Sequence, residues 1–410
     1  MRTNAFLLNF IILTISSSLH AQQGGLGNLL YNLHQNRTDL SQLESALSQL
    51  KKDAEIAYQL DSFSVVFNPP VPPSANKHDY YSFPPYVWPN ENTADGLPYV
   101  HKDGQTNPES EKLSDKIILR QMATAVHHLS LAYYFLEEEK YAQKAISLLQ
   151  TWFIDPTTKM EPHLNFAQCI PGKKIGSPYG IIDSRWFVLV VDALKILEAT
   201  GKLEQATENS LKDWFKAYLN WLLESELGQL DARMENNHGS WYFAQVATYA
   251  DYLGEKPLLK FVLNESKQFF DSQIDSLGQQ VFELHRTKSF DYSLYNIHAL
   301  ITLAKLAEQQ QIDLWSYVGS KNQSIYKSIK FLAEFYLEDK TWPYEQIAEK
   351  AIQLPYKDGL KFSVYYPYDL YSAVLIGHKV YNDPVITACL KKIQQQGGKQ
   401  HFLNLKIHLH

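Results

Sequence analysis

Cysteine is almost missing from this chain, with Cys169 and Cys389 as the only two. Two are too few for a disulfide-stapled scaffold. An oxidising compartment would let them pair, but they are far apart in the chain, and we read them as two buried free thiols. Long apolar runs are missing as well, apart from one near the start. Arg2 gives a positive beginning, residues 6–15 are apolar, and residues 16–21 are small and polar apart from Leu19. That pattern predicts a secretory signal peptide cut after Ala21, since the run falls short of the ~20 residues needed to span a bilayer. No cysteine stands near the cut to carry a lipid. The expectation is an exported protein, periplasmic or secreted, with no membrane attachment after cleavage. A surplus of positive charge is also lacking. The formal net charge is -6, which argues against nucleic acid as a partner. An anionic polymer stays open, because a cleft can be locally basic on an acidic protein. Finally, no two histidines stand four apart, and the adjacent His127 and His128 cannot face one site from a helix, so neither a metal nor a cofactor is expected.

What is present is apolar and aromatic: 45% hydrophobic residues and 13% aromatic ones support a large core together with sugar-stacking surfaces. From Leu113 onward amphipathic helical stretches follow one another with little strand-like alternation. Residues 113–136 with 141–153 read as a helical hairpin. The pattern recurs at 184–199 with 208–224, 239–253 with 257–270, 292–309 with 323–336, and 368–381 with 384–395. A helix pair every ~45–60 residues predicts a solenoid or α/α toroid. Between the pairs lie long segments rich in Pro, Gly, Asn and aromatics, at 69–107, 160–179 and 278–291, and long ordered loops are where function concentrates. No Pro/Ser/Gly linker divides residues 22–410, which read as one domain.

Four clusters carry candidate chemistry. In Asn236-Asn237-His238-Gly239-Ser240-Trp241, one asparagine can cap the helix that follows, but two amides, an imidazole and an aromatic exceed what a cap needs. In the stretch from Glu283 to Asn296, His285, Arg286, Lys288 and His298 crowd Tyr292 and Tyr295. Its bland reading is a charged loop followed by a buried helical stripe, and both can hold, because a tyrosine can pack its ring and expose its hydroxyl. The arm from Lys77 to Pro89, with His78, Tyr80, Tyr81, Tyr86 and Trp88, is too aromatic for a disordered tail and too rich in proline for a helix. The loop holding Gln168 and Lys173 leads to a plausible cap at Asp183–Ser184.

Taken together, the His-Asp-Tyr and Pro-Tyr-x-Trp-Pro arm, the Gly-Leu-Pro-Tyr and Asn-Pro-Glu segments, the Asn-x-Ala-Gln-x-Ile-Pro-Gly loop, the Asn-Asn-His motif and the Arg…Tyr-Ser-x-Tyr-Asn motif resemble the alginate lyase superfamily. They span roughly residues 77–306 in the right order. The chain looks closest to polysaccharide lyase family 38 and is more distantly similar to family 5. The resemblance implies an all-α, single-domain α/α toroid, incomplete or closed, of about six to seven helical hairpins with irregular loops over a cleft. It also implies β-elimination on a 4-linked polyuronate, alginate first. Carried over by position, Asn237 and His238 would neutralise the substrate carboxylate, Arg286 would add positive charge, and Tyr292 would transfer protons. The Arg-to-Tyr spacing is one residue shorter than in family 5, so His285 is the literal register match. Arg286 is retained because the role calls for a permanent cation. Asn236, Trp241, His78, Tyr80, Tyr81, Tyr86, Trp88, Gln168, Lys173, His285 and Tyr295 are the expected sugar contacts.

The chemistry suits these residue types. The C5 proton of a uronate becomes removable only once the neighbouring carboxylate is neutralised by donors that tighten as negative charge develops. A tyrosine can then serve as base and acid on one face of the ring. Three rivals remain. β-1,4-Glucuronan offers the same reacting group. A toroidal glycoside hydrolase needs a pair of carboxylates, and Asp79, Asp183, Glu283 and Asp291 form no evident paired motif. A glycan-binding protein would have no use for the Tyr292 hydroxyl.

Overall fold

The computed structural model describes residues 44–112, 115–338, 341–347 and 369–395. The expected signal peptide lies outside the described residues. Helix α1 (Glu44–Gln59) was not anticipated. Its buried stripe is Ala46, Leu50, Ala54 and Ala57, at helical spacing but mostly too small to register as an apolar face. The short α2 (Glu109–Lys112) precedes the first hairpin, α3 (Asp115–Leu136) and α4 (Glu139–Phe153). The second hairpin pairs α5 (Phe187–Ala199) with α6 (Gln205–Glu224). A short helix, α7 (Glu226–Ala232), leads into α8 (Asn237–Leu253). The expected helix over 257–270 is broken at Ser266 into α9 (Lys256–Glu265) and α10 (Lys267–Gln273). Two further hairpins complete the set, α11 (Ser289–Gln309) with α12 (Ile325–Leu337) and α13 (Leu370–Tyr381) with α14 (Pro384–Gln395). Five of the expected hairpins thus fall within the described residues.

Burial sorts these helices into two layers. Helices α3, α5, α8, α11 and α13 form the inner layer, each packed on the next in chain order, while α4, α9, α12 and α14 lie outside them. Helix α3 is buried nearly all round because α1, α4 and α5 all pack on it. Its Leu119, Met122, Val126 and Leu129 are fully buried. Helix α6 packs chiefly on α8, and there an aromatic block joins Phe153, Phe187, Trp214, Phe215, Tyr218 and Tyr249. Cys169 and Cys389 are buried free thiols, as expected. Among the described residues no helix is long and apolar enough to cross a membrane.

The loops are ordered by a few strong contacts. The aromatic arm forms a two-residue antiparallel ladder, β1 (Val87–Trp88) with β2 (Val100–His101). The loop before α5 tightens into a 3₁₀ stretch over Pro178–Trp186, which begins the predicted 184–199 helix in a different geometry. Buried Asp115 at the start of α3 accepts from Asn68 Nδ2 at 2.7 Å and from the Tyr81 N–H at 2.7 Å, tying the arm to the inner layer.

Candidate active site

Helix α8 opens on the Asn-Asn-His motif, and the two asparagines part roles there. Asn236 is the N-cap, its side chain accepting from the His238 N–H at 3.1 Å. Asn237 is left for other work. Its backbone N–H and its Nδ2 donate to the two oxygens of Glu283, at 2.8 and 2.9 Å. Glu283 is fully buried, and burial pushes its carboxyl up while the Asn237 bonds, Arg286 and His238 pull it back. The turn beneath the helix is tight: a Cβ on Gly239 would stand 2.0 Å from the Met234 carbonyl oxygen, so only glycine fits. His238 turns Nδ1 toward Asp231 Oδ1, at 3.2 Å, and meets the edge of Tyr179 at 5.1 Å between ring centroids.

The second half of the site comes from the loop before α11. Arg286 grips Asp103 with Nε at 3.1 Å and Nη2 at 2.6 Å, and lays its guanidinium 3.7 Å from the centre of the Tyr292 ring. The Tyr292 hydroxyl donates to Tyr86 at 3.0 Å. Burial raises Tyr292 well above the ordinary phenol range, Tyr86 adds to this, and Arg286 opposes it without prevailing. Burial also works to raise Asp103, but the bonds from Arg286 and Thr287 outweigh it and take the carboxyl down to about 2. Gly104 closes this contact, since a Cβ there would meet Thr287 Oγ1 at 2.2 Å.

A buried amide network sets the two halves against each other. Asn296 on α11 donates to Gln273 at 2.7 Å and to Gln280 at 2.8 Å, and Gln273 in turn donates to Ser240 Oγ and to the Asn236 carbonyl. Buried networks of this kind fix geometry, because each broken bond strands a buried polar group. The Asn237 end and the Tyr292 end of the site are thereby held in register. Among the described residues no three His, Cys, Asp or Glu side chains gather as a group that could hold a metal ion.

A model of the alginate lyase family matches residues 67–342. The chain belongs to the alginate lyase family. Its fold is similar to the crystal structure of an alginate lyase from Bacteroides ovatus, at 32% identity and TM-score 0.79 over 88% of this chain and 93% of that one. It is also similar to alginate lyase A1-III from Sphingomonas species A1, at 18% identity and TM-score 0.52 over 79% of this chain and 82% of that one. A complex of A1-III with a tetrasaccharide matches at 17% identity and TM-score 0.52, over 78% and 81% of the two chains. No curated protein matches the chain significantly. Family membership makes the protein a polysaccharide lyase.

Within this lyase some of the expected sugar contacts serve other purposes. Trp241 is buried, its Nε1 donating to the Tyr295 carbonyl, so it joins α8 to α11 and has no face to offer a sugar. Tyr80 and Gln168 are buried too. Both donate to Asp183, which also accepts from Ser82, and together they lock the arm to the 165–183 loop. In this structure these three side chains spend their hydrogen bonds within the protein, joining the arm and α8 to their neighbours. Arg286 is ion-paired with Asp103 and lies over the Tyr292 ring, on which its positive charge acts. His285, the register match, is exposed. His78 gives Nδ1 to the Lys159 carbonyl at 2.6 Å. Tyr81 is half-buried and pairs with Phe166, Lys173 is exposed, and Asn236 is spent as the cap. Trp88 keeps a partly exposed ring under Lys102, and Tyr295 lies partly exposed beneath Arg185. The sequence reading missed Asp231, Asp103 and the positioning part of Glu283, for which no spacing rule exists because each partner is distant or on another loop.

Proposed function

We propose that this lyase cleaves 4-linked uronate polymers, alginate foremost, by β-elimination at the site formed by Asn237, His238, Arg286 and Tyr292. One observation carries the reading: buried Glu283 accepts both donors of Asn237, and Arg286 of the same loop lies on the ring of Tyr292. Donors fit to neutralise a carboxylate and a hydroxyl fit to move a proton thus belong to one rigid unit. The second amide hydrogen of Asn237 and the Nε2 of His238 are the groups left to meet the substrate carboxylate as charge develops on it. The C5–H bond breaks to the base, its electron pair forms the C4=C5 double bond, and the C4–O4 bond breaks as O4 takes a proton. Tyr292, neutral at rest, is suited to protonate O4. To take the C5 proton on the same face, Tyr292 first gives its own proton to solvent, and Arg286 balances the phenolate that results. The proton it gains from C5 is the one it delivers to O4. For the epimer whose proton lies on the opposite face, His238 in its neutral form is the base.

The likeness to an alginate lyase from Bacteroides ovatus and to A1-III complexed with a tetrasaccharide supports an anionic polysaccharide as the substrate. The leader-like residues 1–21 support export to the periplasm or beyond. The test is a panel of polymannuronate, polyguluronate and glucuronan, followed by the ultraviolet absorbance of the conjugated unsaturated end. Absorbance should rise on an alginate block. A rise on glucuronan alone would move the substrate, and none on any polymer would sink the reading.

A further inference from the structure

The elimination scheme leaves one buried carboxylate beside the site without a task. Asp231, in the last turn of α7, is fully buried, and its Oδ1 lies 3.2 Å from Nδ1 of His238. Its Oδ2 is buried as well and has no hydrogen-bond partner. An ionised carboxylate in that position is costly unless a cation compensates it. The groups facing it narrow the choice. Tyr218 from α6 and Tyr242 from α8 both bear on Asp231, but Tyr218 spends its hydroxyl on Ser184 Oγ at 2.6 Å and Tyr242 on the Leu222 carbonyl at 2.8 Å. Burial keeps both phenols neutral, and a phenol has no cationic form to offer. Tyr179 meets His238 ring to ring, nearly perpendicular, and the charge of His238 acts on Glu283 as well. His238 is the group in contact with Asp231 that can carry the compensating charge.

The contact is not needed to anchor the helix. Asn236 already caps α8, Asn237 is bound to Glu283, and Gly239 seals the turn against Met234. We infer that Asp231 is a positioning residue of the lyase reaction: it accepts the Nδ1–H of His238, holds the imidazolium, and leaves Nε2 as the nitrogen offered to the substrate carboxylate. The same arrangement of carboxylate and histidine fixes ring orientation and tautomer in other enzyme sites. Burial carries the Asp231 carboxyl up to about 6, against the pull of the His238 bond and charge. The inference rests on the lyase reading above.

The test uses the full chain and Asp231→Asn, whose amide oxygen can still accept from Nδ1 but lacks the charge. Folding is checked by circular dichroism, and kcat and KM are measured on alginate across about pH 5 to 9. The expected result is a kcat lowered about 10²-fold with KM changed less than about threefold, and an alkaline limb moved to lower pH, because an imidazole without its counter-charge loses its proton sooner. A merely structural role would lower Tm and leave the pH profile of the folded enzyme where it was, which would overturn the inference. A second measurement needs no polymer. Nitrogen-correlated NMR of the parent protein, with His238 assigned by its loss in His238→Gln, should show Nδ1 protonated. An Nδ1 without its proton would overturn the inference even if Asp231→Asn does not fold, and even if the substrate is another polyuronate. Failure of the lyase reading itself would appear separately, as a parent protein that yields no unsaturated product.

Discussion

Asn236 and Asn237 have the same side chain and opposite uses. One closes the helix end on the His238 N–H, the other binds a buried carboxylate. Asn237→Ala should therefore behave unlike a lost cap. We expect kcat to fall about 10²–10³-fold, the scale of losing one preorganised donor, with polymer binding changed much less. Glu283 would keep the backbone N–H but lose Nδ2, costing about 1–3 kcal/mol of stability. Rates on the folded fraction, measured beside a melting curve, separate the two effects, and normal turnover would remove Asn237 from the chemistry. Tyr292→Phe tests the other end of the site. The ring still packs under Arg286 and only the hydroxyl is lost, so folding should persist while turnover drops at least the ~10²–10⁴-fold typical of acid–base groups. Turnover near the parent rate would leave Tyr292 with a packing role only.

At the scale of elements, the site is made where loops meet the starts of α8 and α11. The arm reaches the loop before α11 through Asp103, which takes Nε and Nη2 of Arg286 as well as the N–H and hydroxyl of Thr287. On the other side of the same loop, residues 341–347 lay Glu345 and Ile347 against Ser289 and Thr287. Asp103→Asn should loosen the arm, lowering kcat/KM at least about tenfold by freeing Arg286 from its fixed pose over Tyr292. An unchanged kcat/KM would show that the ion pair does not position the site. The pH dependence has a definite sign. Asp103 titrates near 2 in the folded protein and near ~3.9 when unfolded, so its contribution to stability is complete above about pH 4 and is lost as pH falls toward 2. Melting temperature followed from pH 5 downward should fall less steeply in Asp103→Asn than in the parent.

For the molecule as a whole, the buried faces of the two helical layers carry the stability, and the chemistry gathers where the loops meet the starts of α8 and α11. Leu148 on α4 is fully buried in the outer layer, remote in sequence from every site residue. Leu148→Ala should cost about 2–5 kcal/mol through lost burial and the cavity left behind. Denaturant unfolding would report that loss, and kcat in the folded state should stay unchanged. A large drop in kcat would mean that the outer layer governs the geometry of the cleft, against the division of labour drawn here.

Helical periodicity depends on neighbours three and four residues apart, so the hairpins from Asp115 onward could be read from the chain, while α1, faced with alanine, and the short α2 and α7 escaped. The Asn-Asn-His and Arg-to-Tyr motifs were legible for the same reason, because their residues are close in sequence. What tertiary structure alone decided are the pairings between side chains on different elements. Asp103 reaches Arg286, Glu283 reaches Asn237, Asp231 reaches His238, and Trp241 turns into the core against Tyr295. A sequence states which side chain is present, but the neighbour that spends its hydrogen bond or charge is chosen by packing, and with it whether the side chain is free to meet a substrate.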